Sequence, residues 1–117
     1  MGNVVKEKSF AFAVRVVNLY KHLSSEKKEY VISKQLLRSG TAIGALVREA
    51  EQAESKPDFI HKMAIALKEA NETEYWLDLL HETKYLEPAA FSSIQRDATE
   101  LLKLLTSIIK SAKSSLK

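Results

Sequence analysis

A chain of 117 residues without cysteine excludes a disulfide framework and any thiolate metal site. Three glycines and two prolines are too few to punctuate a sandwich or barrel of short strands. Eighteen Lys and Arg against fifteen Asp and Glu leave a net charge of +3, too mild on its own to name a partner. No apolar run approaches the roughly 18–20 residues of a membrane span, so no membrane partner is expected. The N-terminal stretch is broken by Lys6, Glu7, Lys8 and Arg15, which argues against a secretory leader, and Lys6 stands where myristoylation wants Ser or Thr. Together with the missing cysteines this predicts a cytoplasmic protein of one domain, residues 1–117.

The first predicted helix starts near Ser9, a good N-cap residue, and runs to about Leu23. Phe10, Ala13, Val14, Val17 and Tyr20 make one apolar stripe; Phe12, Val16, Leu19 and Leu23 make a second. Only a narrow polar edge at Arg15, Asn18 and His22 is left, an apolar arc wider than one neighbouring helix pair covers. Ser24 to Glu29 is the most polar run and reads as a loop.

The chain is organised around the second predicted helix, Ser33 to Glu54. Leu36, Gly40, Ile43, Val47 and Ala50 recur on one helical face straight through both glycines. Each mid-helix glycine costs roughly 0.5–1 kcal/mol relative to alanine. Gly40 and Gly44, one turn apart, therefore predict a close approach by another helix. The alternative is that RSGTAIG is a loop between two short helices, which the in-phase apolar positions on both sides oppose.

Ser55-Lys56-Pro57 ends that helix and starts a third, Pro57 to about Thr83, whose stripe is Phe59, Met63, Ala66, Ala70, Thr73, Leu77 and Leu80, with Leu67 and Trp76 beside it. A turn at Tyr85 to Pro88 leads to the fourth, Pro88 to Ser114. Its polar line is Arg96, Glu100, Lys103, Ser107, Lys110 and Ser114. Four helices with short connections predict an all-α, up-down-up-down four-helix bundle. The apolar surplus on the first and fourth helices predicts that sister chains cover it in a homo-oligomer.

Catalytic or metal chemistry finds little support. His61 follows Asp58 by three residues and His81 follows Asp78 by three. Both pairs lie on one helix, about 30 Å apart by helical rise, whereas a di-metal bundle site draws its ligands from several helices. No phosphate loop, nucleophile elbow or zinc spacing is present. The expectation is no enzyme, no metal and no cofactor.

Two polar constellations are more informative. Antiparallel second and third helices bring Arg38 opposite Glu69 or Glu72, a pair that would fix register, and place Arg48 nearer Asp58 to Lys62. Arg96, Lys103, Lys110, Lys113 and Lys117 cluster on and beside the outer line of the last helix, with only Glu100 among them. They are either a surface for RNA or DNA phosphates or a solvated lysine face. No base-reading module accompanies them, so any binding would be sequence-tolerant and salt-sensitive. Tyr75 and Trp76 read as bulk at a seam or subunit contact rather than a stacking platform.

The stretches SKQLLRSGTAIGALVREAE and FIHKMAIALKEANETEYWLDLL closely resemble the bacterial four-helix-bundle proteins associated with intervening sequences in 23S ribosomal RNA genes. The resemblance covers nearly the whole chain. It is carried by Gln35, Leu36, Arg38 and Ser39, by Ile43 to Glu49, and by Glu69, Glu72 and Thr73 ahead of Tyr75-Trp76-Leu77. Leu46 and Ala50 depart from the commoner Asn and Gly of that pattern. The resemblance implies an up-and-down bundle assembling as a ring-shaped pentamer. It also implies kinship with the accessory protein of diversity-generating retroelements, whose pentameric barrel binds a reverse transcriptase and nucleic acid. The role it implies is binding or scaffolding, toward a partner protein or a nucleic-acid backbone, rather than a reaction. The competing expectation is a purely structural homo-oligomer without nucleic-acid affinity.

Overall fold

The structure, a computed structural model, describes residues 3–116. It is all-α, with no strand among the described residues: α1 (Asn3–Ser25), α2 (Ile32–Glu51), α3 (Lys56–Glu82) and α4 (Pro88–Ser114). The helices form a bundle of 49 × 21 × 20 Å in which α1 touches α2 and α4, and α3 touches the same two.

Helix α1 begins earlier than the sequence suggests. Val5 is buried and continues the inward line of Phe12, Val16 and Leu23, so the helix extends toward the N-terminus through its own core contacts. Ser9 is consequently no cap. It lies inside the helix, buried, with its hydroxyl donating to the Lys6 carbonyl at 3.2 Å. Its small side chain matches Gly44 at the crossing of α1 and α2.

Both glycines sit where α1 comes closest. A Cβ built on Gly40 would stand 2.8 Å from Val16 Cγ2, and one on Gly44 would stand 3.3 Å from the Ser9 carbonyl oxygen. Leu36, Ile43, Val47 and Ala50 continue the buried face above and below them.

The turns are built by capping. Glu29, buried in the α1–α2 connection, accepts the backbone N–H groups of Val31, Ile32 and Ser33 at 3.1, 2.9 and 2.7 Å, which satisfies the open end of α2. Ser55 caps α3 by accepting the Asp58 N–H at 3.2 Å, with Pro57 in the first turn. Helix α3 ends in a Schellman arrangement: Tyr85 N–H donates to the Leu80 carbonyl at 2.9 Å and Lys84 N–H to that of His81 at 3.0 Å. Lys84 occupies the left-handed position, φ 71°, that glycine fills at lowest cost. Lys84→Gly should raise stability by about 0.5–1 kcal/mol, measured as a higher urea midpoint at fixed protein concentration.

The core stripes of α3 (Met63, Ala66, Ala70, Thr73, Leu77, Leu80) and α4 (Ile94, Ala98, Leu101, Leu105, Ile109) face the glycine-bearing helix and α1. The apolar surplus expected on both α1 and α4 falls on α1 alone. Leu102, Leu104 and Ile108 of α4 pack against the core, whereas Phe10 and Val14 of α1 are 56% and 45% exposed.

Candidate nucleic-acid interface

Because the buried positions of α4 run Ile94, Ala98, Leu101, Leu105, Ile109, the opposite face is drawn through Arg96, Lys103 and Lys110. These three are exposed and successive members are seven residues, roughly 10.5 Å, apart along the axis. Lys113 is exposed as well; Lys117 lies outside the described residues. None of Arg96, Lys103, Lys110 and Lys113 forms an ion pair among the described residues. Glu100, on the same line, is drawn toward α1 by Lys8 at 3.0 Å. A shallow hollow borders the line, with Phe91, Gln95, Arg96, Thr99, Glu100 and Lys103 among its lining residues.

The flank toward α3 is acidic. Thr99 donates to Glu74 at 2.8 Å and Gln95 donates to Asp78 at 3.3 Å, so two carboxylates lie beside the cationic row. Phe91 stacks on His81 at 4.2 Å, and the Nδ1 of that histidine meets the Leu86 carbonyl at 3.1 Å, which binds the end of α3 to the start of α4. His61, at the other end of α3, is exposed.

The Arg38 cluster lies elsewhere, on the α2–α3 seam. Its guanidinium reaches Glu72 at 2.6 Å and Glu69 at 3.5 Å. Glu72 also accepts the Trp76 indole N–H at 3.0 Å. That indole bond, together with the Arg38 guanidinium and against the opposing effect of burial, holds the Glu72 carboxyl below its ordinary range. With Arg38 half exposed, the pair contributes about 0–1 kcal/mol to stability. Beneath it lies a buried hydrogen bond that residue spacing gave no sign of, between the Ser39 and Thr73 hydroxyls at 2.9 Å. Arg48 lies over the Phe10 ring, 5.3 Å from the centroid, and the neighbouring Glu49 pairs with Lys62 at 3.2 Å, in keeping with the antiparallel register. Tyr75 packs edge-on against Trp76 yet remains 57% exposed.

Residues 2–107 match the family model described as 23S rRNA-intervening sequence protein. The chain belongs to that family. A crystal structure from Bacteroides thetaiotaomicron, described as a protein with unknown function from the S23 ribosomal protein family, is 65% identical. The similarity covers 93% of this chain and 97% of that one, with a TM-score of 0.92. No curated protein matches. Within the matched span, Arg38, Ser39, Glu69, Glu72, Thr73 and Trp76 on the α2–α3 seam all contribute to one interlocked set of polar contacts. The cationic row of α4 is a separate surface. No helix of the described residues is long and apolar enough to cross a membrane.

Proposed function

We propose that this protein is a non-enzymatic, cytoplasmic homo-oligomer, ring-like and pentameric by family resemblance, that holds a nucleic-acid backbone along the outer face of α4. The observation that carries the reading is the row of Arg96, Lys103 and Lys110, exposed, in line and free of ion pairs among the described residues. Such a row neutralises phosphates without reading bases, and a ring repeats it in every subunit. The exposed apolar face of α1, with Phe10 and Val14, supports the oligomer.

Anisotropy titration with mixed-sequence duplex DNA and single-stranded RNA tests the binding. Affinity should fall steeply between about 50 and 200 mM salt and vary little with sequence. Lys103→Gln with Lys110→Gln should weaken every sequence alike and, for duplex DNA, reduce the slope of log K against log salt by about two. No rise in anisotropy at low salt would sink the reading. In its place would stand a purely structural homo-oligomer, which Glu74, Asp78 and Glu100 beside the row favour.

A further inference from the structure

Helices α1 and α3 occupy opposite corners of the bundle and run in the same direction. Lys6 at the start of α1 meets Glu51 at the end of α2, and Arg38 and Glu49 of α2 meet Glu72 and Lys62 of α3, so both neighbouring pairs are antiparallel. Each outer corner carries a line of three residues at seven-residue spacing. On α1 the line is Glu7, Val14, Lys21; on α3 it is Lys68, Tyr75, Glu82. Seven residues complete two turns to within about 20°, so each trio stacks on one edge, away from the buried stripe. All six are exposed, and none of the four charges forms an ion pair among the described residues.

The two lines are complementary. We infer that α1 of one copy docks against α3 of a second copy in parallel, with Glu7 on Lys68, Val14 on Tyr75 and Lys21 on Glu82. This rests on the homo-oligomeric reading above and names the surfaces that reading needs. Sliding the pairing or reversing it loses the match, because an antiparallel contact sets Glu7 on Glu82 and Lys21 on Lys68. A contact between different edges is head-to-tail, and a parallel head-to-tail contact is the kind that propagates around a ring. A two-fold contact of α1 with α1 is also charge-matched. It leaves Tyr75, 57% exposed, uncovered, whereas the α1–α3 contact covers both apolar centres at once.

Charge reversal separates these arrangements, read by light scattering across a concentration series of the full chain. Glu7→Lys with Lys21→Glu, or Lys68→Glu with Glu82→Lys, sets like charges against each other in the α1–α3 contact. Each double variant should need at least about tenfold more protein to assemble, with its helical circular dichroism unchanged. Carrying both pairs of reversals on one chain restores the match and should return assembly to within about threefold of the parent. A parent protein that stays monomeric throughout would overturn the homo-oligomeric reading itself. A parent that assembles, with double variants that assemble equally well, overturns only the α1–α3 contact; the reversals preserve an α1–α1 match. Loss in the double variants without restoration in the combined one also overturns the pairing.

Discussion

Gly40→Ala should destabilise the protein by up to about 2 kcal/mol, although alanine is the better helix former. Relief of the glycine penalty contributes roughly 1 kcal/mol in favour of alanine. Against it stands a Cβ 2.8 and 2.9 Å from the two Val16 methyl groups and 3.2 Å from Val16 Cβ. Val16 is fully buried and, being β-branched, has little rotamer freedom with which to retreat. The helices must part or the valine must strain, at about 1–3 kcal/mol. Gly40→Val should cost more still, because it adds two methyl groups to the same contact. Gly44→Ala is the control. Its nearest neighbour stands at 3.3 Å, where a shift of a few tenths of an ångström is enough, and the propensity gain should leave stability nearly unchanged. Denaturant melts read all three. A double-mutant cycle with Val16→Ala locates the clash: the alanine at position 40 should cost less when Val16 is trimmed, with a coupling of about 1 kcal/mol. Additivity in that cycle would refute the steric account.

Glu29→Ala should lower stability by about 2 kcal/mol. The substitution removes the acceptor of three backbone N–H groups, including a buried one from Ser33, and no other cap is in place at the α2 N-terminus. Glu29→Gln retains an acceptor but not the charge that favours a helix N-terminus, and should cost about half as much. The same site makes a pH signature. Burial raises the Glu29 carboxyl, but the N–H donors of Ile32, Ser33 and Val31 outweigh it and hold the group below its ordinary value. A carboxyl depressed in the folded state contributes stability that is complete above its unfolded pKa and disappears as pH falls through the folded one. Stability of the parent should therefore decline below about pH 4.5, and Glu29→Gln should flatten part of that decline. Urea midpoints taken from neutral pH down through the carboxylate range measure both effects. Parallel pH profiles for parent and variant would remove Glu29 from the acid response.

The helices are legible in the sequence because their apolar periods are long and uninterrupted. Helix α4 runs from Pro88 to Ser114 as its proline and its 4-3 polar line predict. The two glycines of α2 announce a close neighbour, and the fold names it as Val16 and Ser9. The start of α1 is misleading in the sequence because Ser9 has the chemistry of a cap; burial of Val5 decides otherwise, through a tertiary contact invisible to local pattern. Glu29 is hidden for a related reason. It lies in the most polar stretch of the chain, and only the backbone path of the turn reveals that its carboxylate folds back onto α2. On the candidate surface, residue spacing places Arg96, Lys103 and Lys110 on one face. The acidic flank has no such signal, since Glu74 and Asp78 come from a different helix.

Three of the four helix seams are extensive, and the fourth is slight. Helix α1 meets α4 far less extensively than it meets α2, and charged side chains span the gap: Arg15 to Asp97 at 2.7 Å and to the Ser93 hydroxyl at 3.1 Å, and Lys8 to Glu100 at 3.0 Å. Like a book, the molecule has a spine at α2–α3 and a fore-edge at α1–α4. Its softest motion is to fan open along that fore-edge, where water can replace a guanidinium or an ammonium group partner for partner, while the spine stays shut.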